Sequence, residues 1–238
     1  MAISVDTVYQ KVLALANKEQ RGYITPQEFN LFADHAQMEI FEQYFYDLTQ
    51  FLRVHGNSEE YSDIIDNIRE KISIFEREAT ASPPLSLNSI YRLGSVFVET
   101  AGGGIKEQGI EVQEVQPDEL RNMQRSPLLK PRASRPVYVR RAHQCYVYPD
   151  SSTDYTNMIN TVRYTYVAVP RKPKWGYIVN NSDAMYDPGI STDFELHRSE
   201  EVELVYRILL QAGVSIQRQD ITQAAASGQV LQVQKEKQ

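Results

Sequence analysis

The chain has 238 residues, 42% of them hydrophobic and 24% charged, and a net charge of −6, which specifies one large or two small globular domains and excludes wholesale disorder. A single cysteine, Cys145, excludes an intrachain disulfide and a cysteine-rich zinc site and fits a reducing compartment. No apolar run reaches the roughly 18 residues of a membrane span, and Met1 to Asp6 lack the basic stretch of a signal peptide.

The first third predicts helices. Val5, Val8, Tyr9, Val12, Leu13 and Leu15-Ala16 recur at three-to-four spacing, and Gly22 ends that stretch. Thr25-Pro26-Gln27-Glu28 predicts a second helix start, with Thr at the N-cap, Pro at the first helical position and Glu closing a capping box. Its apolar stripe runs through Phe29, Phe32, Ala33, Ala36, Ile40, Tyr44, Leu48, Phe51 and Leu52, with Phe41 and Phe45 beside it. A surface that wide predicts more than one neighbour. Asn57 with Glu60 caps a third helix carrying Ile64, Ile65, Ile68, Ile72 and Phe75.

At Ala81-Ser82-Pro83-Pro84 the period changes to alternation, through Ser95-Val96-Phe97-Val98, Ile110-Glu111-Val112, Val137-Tyr138-Val139, Cys145 to Tyr148 and Thr161 to Val167. Pro117-Asp118-Glu119-Leu120 reads as a short helical turn among these strands, and Arg171 to Gly176 as a loop. Ser199-Glu200-Glu201 opens a last helix, with Val202, Val205, Tyr206, Leu209 and Leu210 inward and Gly213 as its C-cap. The Gln/Ala/Ser-rich segment after it has too little apolar area to fold alone. The expected fold is α+β. An antiparallel helical bundle, made of three helices within residues 1–82 and a closing helix at 191–213, carries an inserted antiparallel β domain (83–190) and an extended docking tail (214–238).

No catalytic signature stands out. Asn17 to Glu28 has the frame of a calcium-binding loop, with Gly22 sixth, Ile24 eighth and Glu28 twelfth, but Arg21 puts a cation at a ligand position. A helix–turn–helix corner is the plainer reading. Gly102-Gly103-Gly104-Ile105-Lys106 lacks the Gly-Lys-Ser/Thr of a phosphate loop and reads as a hairpin tip. His35, His55, His143 and His197 have no ligand spacing, and Cys145 sits in a strand as a small core residue. Glu59-Glu60 and Glu200-Glu201 fit helix N-termini. No enzyme activity, metal or cofactor is expected.

Charge is the informative feature. Residues 1–120 hold 9 basic and 20 acidic side chains, residues 121–174 hold 11 and 2, and residues 175–238 hold 5 and 9. The segments therefore carry −11, +9 and −4. The basic block, interleaved with tyrosines, suits either acidic protein surface, including that of a neighbouring copy, or nucleic acid. The expected interface residues are Arg140, Arg141, Arg171, Lys172 and Lys174, with Ile216, Ile221, Val230, Leu231 and Val233 as anchors in the tail.

The stretch Lys11 to Asn30 resembles the N-terminus of virion structural proteins of tailed phages, particularly crAss-like and related short-tailed phages. Phe194 to Glu201, Ile208 to Gly213 with the Ala/Gln-rich ending, and Val162 to Tyr166 with Pro170 to Tyr177 are similar in style. The element order resembles that of the head–tail connector (adaptor ring) family. That resemblance implies a ring of twelve copies under the portal protein, contacting the next tail ring or nozzle protein and letting genomic DNA pass. It also implies a place in the virion neck, assembly in the host cytoplasm and no membrane partner. A second tail ring, a head-completion stopper, and a phage DNA-binding module are the alternatives.

Overall fold

The computed structural model describes residues 3–17, 24–53, 59–98, 109–150, 159, 161–180, 183–215, 227 and 230. In chain order its elements begin with α1 (Val5–Asn17), α2 (Pro26–Arg53) and α3 (Glu59–Ser73). Next come β1 (Glu76–Ala81), β2 (Leu85–Ser86), β3 (Ile90–Val98), β4 (Ile110–Glu111), β5 (Gln113–Glu114) and α4 (Pro117–Arg125). Then follow β6 (Val137–Arg141), β7 (Gln144–Tyr148), β8 (Val162–Ala168), β9 (Tyr177–Asn180), β10 (Asp183–Tyr186) and α5 (Glu201–Ser215). The protein is thus mixed α+β with mainly antiparallel sheets. It divides into two units, residues 1–74 with 170–238, and residues 75–169.

In the first unit α1 buries Val5, Val8, Tyr9, Val12 and Ala16 of the stripe its spacing dictates and leaves Leu15 exposed. α2 starts at a reciprocal capping box. The Thr25 amide donates to the Glu28 carboxylate at 3.0 Å and the Glu28 amide to the Thr25 hydroxyl at 3.3 Å. Its 28 residues span about 42 Å. Its wide apolar side, with Phe29, Ala33, Ala36, Ile40, Phe41, Tyr44 and Phe45 buried, meets both α3 and α5, while Leu52 at its far end is exposed. α5 contacts α1 as well.

Three further details of the helices differ from the expectation. α5 turns Leu204, Val205, Ile208 and Leu209 inward and leaves Val202 exposed. It also runs through Gly213 to Ser215, so that glycine is not a cap. α3 ends at Ser73, and Phe75 already belongs to the second unit, where its carbonyl accepts the Ala168 amide.

The unit boundaries also fall elsewhere, at 74/75 and 169/170 rather than 82/83 and 190/191. At the first, β1 pairs along its whole length with β8, from Glu76↔Val167 to Ala81↔Val162. At the second, residues 170–195 are bound to the helices. Gln37, fully buried, donates to the Arg171 carbonyl at 2.8 Å and accepts the Glu195 amide at 3.1 Å. Asn30 accepts the Trp175 amide at 2.7 Å, and the Trp175 indole donates to Asp6 at 3.0 Å.

The second unit contains two four-stranded sheets, ordered β1-β8-β3-β4 and β2-β7-β6-β5. The β5–β6 pair is parallel and the other strand pairs are antiparallel. Val96, Val162 and Tyr164 of one sheet share a core with Leu85, Tyr138, Cys145 and Val147 of the other. Because strand side chains alternate, the opposite face of the second sheet presents Val137, Val139 and Tyr148, which α4 covers with Leu120 and Met123.

Candidate functional site

The basic block is divided between the two units. Arg171, Lys172 and Lys174 fall in the first unit, and Arg140 and Arg141 in the second. Counted by unit, the first carries 14 basic and 21 acidic residues and the second 11 and 10. The near neutrality of the second unit conceals segregation. Its residues 121–141 contain seven cations (Arg121, Arg125, Lys130, Arg132, Arg135, Arg140, Arg141) and no carboxylate, and all seven are exposed.

The local structure displays these cations outward. α4 buries Leu120 and Met123, so Arg121 and Arg125, one helical turn apart, lie off its packed face. The chain then makes a turn in which Arg132 and Arg135 exchange backbone hydrogen bonds, at 3.4 and 2.9 Å. That turn fixes the two backbones and leaves the guanidinium groups outside, with one donation from Arg132 to the Pro127 carbonyl at 3.4 Å. Leu128, in the same loop, is 90% exposed. Among the described residues Arg121, Arg125, Arg132, Arg135, Arg140 and Arg141 make no ion pair.

Arg140 and Arg141, expected to act together, are neighbours on a strand and point to opposite faces. Arg141 lies on the α4 side, with its guanidinium 5.8 Å from the Tyr146 ring centroid. Arg140 is paired in register with Cys145, on the face shared with the other sheet. Burial pushes the Cys145 thiol up to about 12, with Arg140 opposing the rise and Glu114 adding to it. A thiol held neutral in this way is a core group and not a nucleophile.

The three remaining basic candidates have local duties. Arg171 pairs with Glu195 at 2.6 Å and Lys172 with Asp34 at 3.3 Å, so both neutralise acidic groups of their own unit. Lys174 exchanges backbone hydrogen bonds with Thr192, at 2.9 and 2.8 Å, and is exposed. Of the tail anchors, Val230 is exposed, and Ile216, Ile221, Leu231 and Val233 lie outside the described residues.

A second surface was not legible beforehand. β9 and β10 form a two-stranded ribbon, from Tyr177↔Tyr186 to Asn180↔Asp183. Ile178, Val179 and Met185 are exposed by 58, 64 and 57%, so both of its faces show apolar side chains to solvent. Its base is firmly held. Trp175 stacks on Tyr177 at 5.8 Å and lies 4.3 Å from the Tyr9 ring, while Gly176 and Asp187 join the two chains through a 2.9 Å backbone bond. Continuous apolar runs, Tyr177-Ile178-Val179 and Ala184-Met185-Tyr186, are the sequence signal for a ribbon that needs cover on both sides.

Other chemical possibilities resolve into structure. Glu28, twelfth in the calcium-loop frame, has its carboxylate engaged by the Thr25 amide and hydroxyl, and residues 18–23 of that frame lie outside the described residues. The glycine run Gly102 to Gly104 and His55 also lie outside them. His197 caps the turn before α5 by accepting the Ser199 amide. Glu200, expected at an open helix start, is instead 1% exposed and paired with Lys71 at 2.6 Å. The two border a cavity of about 70 Å³, room for water only, and satisfy each other. Beside them Arg207 is buried against Glu203, Gln43 and Glu39. Among the described residues no group of three or more His, Cys, Asp and Glu is placed to hold a metal ion. No described helix is long and apolar enough to cross a membrane.

No protein-family model matches the chain, and no curated protein sequence matches it either. The cationic face and the apolar ribbon are therefore what a functional reading has to explain.

Proposed function

We propose that the protein is a virion structural component, the head–tail adaptor of a short-tailed phage, acting as a twelve-copy ring that joins the portal to the tail and forms part of the DNA channel. In this reading a helical bundle supports an inserted β domain, and the segment after α5 reaches out to the portal. The observation that carries the proposal is the β9–β10 ribbon. A two-stranded ribbon is marginal on its own, yet this one is anchored at its base by Trp175 and displays Ile178, Val179 and Met185 outward. An anchored apolar ribbon suits a part that is covered on assembly by a neighbouring protein.

The test is mass measurement of the purified chain, alone and mixed with the portal protein. A ring that binds portal, and that loses binding when Ile178 and Met185 are both replaced by Asp, is the expected result. A chain that stays monomeric under both conditions overturns the reading. Deleting residues 214–238 is expected to leave the fold intact and abolish portal attachment. A truncated chain that binds portal normally removes the docking tail from the proposal.

A further inference from the structure

We propose that the cationic surface carrying Arg121, Arg125, Arg132, Arg135 and Arg141 docks a second copy of this chain, and that its complement is the acidic stripe of α3 formed by Asp63, Asp66 and Glu70. The proposal rests on the ring reading and names the contact that would hold one copy to the next.

The five arginines of the cationic side make no ion pair among the described residues, whereas Arg171 and Lys172 each have a carboxylate partner in their own unit. Concentrating like charge on one surface is unfavourable unless a polyanionic surface is met.

The chain supplies one. α3 has the sequence EEYSDIIDNIREKIS, five acidic residues against two basic. Asp63, Asp66 and Glu70 recur at helical spacing on the side opposite Ile68 and Ile72, which are buried, and all three carboxylates are exposed. Of the two cations, Lys71 is turned inward to Glu200. The other, Arg69, reaches Asp66 only at 3.6 Å with both groups exposed. The outward side of α3 is therefore net acidic.

Leu128 decides between a protein and a nucleic acid. A leucine exposed by 90% amid arginines has nothing to gain from a phosphate backbone, whereas a protein surface gives it apolar area to bury. Ile74, exposed at the end of α3, offers such area beside the acidic stripe. Because the two patches differ, the contact is heterologous, and repeating it closes a ring or extends a filament. Charge pairing of this kind sets register and orientation between copies.

The experiment is a charge swap read as self-association over a dilution series, with circular dichroism confirming that each variant is folded. The pair Arg132→Glu and Arg135→Glu leaves the backbone exchange between those residues in place and is expected to weaken association roughly tenfold or more. The pair Asp63→Lys and Glu70→Lys is expected to do the same, and all four changes together to restore association to near the wild-type level. Wild-type assembly is expected to weaken with added salt. Wild-type chain that assembles while ignoring both pairs of changes, or a fourfold variant no better than its parents, overturns this contact and leaves the ring reading standing. Wild-type chain that never self-associates overturns both. If the arginine pair assembles normally but loses salt-sensitive retention of random-sequence duplex DNA, the surface takes nucleic acid and the proposal fails.

Discussion

Replacing Gln37 by Leu isolates what holds residues 170–195 to α2. The side chain is fully buried and spans two backbone groups, donating to the Arg171 carbonyl at 2.8 Å and accepting the Glu195 amide at 3.1 Å. Leucine has nearly the same volume, so no cavity opens and the cost is polar alone. Each lost hydrogen bond is worth about 0.5–1.5 kcal/mol, and a deserted buried group adds to that, so the expected loss is about 2–4 kcal/mol. At about 2–4 °C per kcal/mol for a unit of this size, the melting temperature falls by roughly 5–15 °C. Trp175 is the only tryptophan, is buried, and sits in the segment that Gln37 pins, so denaturant unfolding followed by its emission reports on this unit. Gln50→Leu, at an exposed position of the same helix, is the control and is expected within about 0.5 kcal/mol of wild type. A Gln37→Leu protein equally close to wild type, with unshifted emission, would refute the pinning role.

Gly176→Ala is expected to cost about 1–3 kcal/mol, since its added Cβ would lie 2.5 Å from the Ile190 Cγ1 and 2.8 and 2.9 Å from that residue's backbone carbonyl carbon and oxygen. Red-shifted Trp175 emission with a lower unfolding midpoint checks it. Glu28 is held below the ordinary glutamate value of 4.5, first by the Thr25 amide and then by its hydroxyl, both donating to the carboxylate. A depressed folded value stabilises above the unfolded value and is lost as pH falls through the folded one. Glu28→Ala is therefore expected to be less stable than wild type near neutral pH and to converge with it in acid, as pH-dependent unfolding will show. Cys145, its thiol pushed up to about 12 by burial, is expected to resist thiol reagents at about pH 8 in the native protein and to react as one thiol on unfolding. Reaction of the folded protein at the rate of a free thiol would contradict that.

Local signals were legible because they are decided within a few residues. Thr25-Pro26-Gln27-Glu28 contains a whole capping box, and the continuous apolar run Val137-Tyr138-Val139 is what a sheet covered on both faces requires. What failed was decided at long range. Glu200 looks like a solvated helix start, and only the fold brings Lys71 to it. Gln37 is an ordinary polar residue on a helix until Arg171, 134 positions away, arrives beside it. Arg140-Arg141 is the local exception, since adjacent residues of one strand send their side chains to different faces. The basic block was visible as composition. Its division into ion-paired Arg171 and Lys172, and Arg132 and Arg135, which pair with no carboxylate among the described residues, depends on which carboxylates fold against it.

The chain order of the two units has a consequence for synthesis. Residues 1–74 leave the ribosome before any of residues 170–238, the remainder of their unit, has been made. At about 5–20 residues per second, the second unit takes roughly 5–20 s to appear in between. During that interval α1 and α2 lack α5, and the Gln37 amide and the carboxylates of Glu39 and Asp6 lack the Arg171 carbonyl, Arg207 and Trp175. The second unit, contiguous in sequence, can close while the N-terminal helices wait. Completion of the helical unit thus waits until residues 170–215 have followed the second unit.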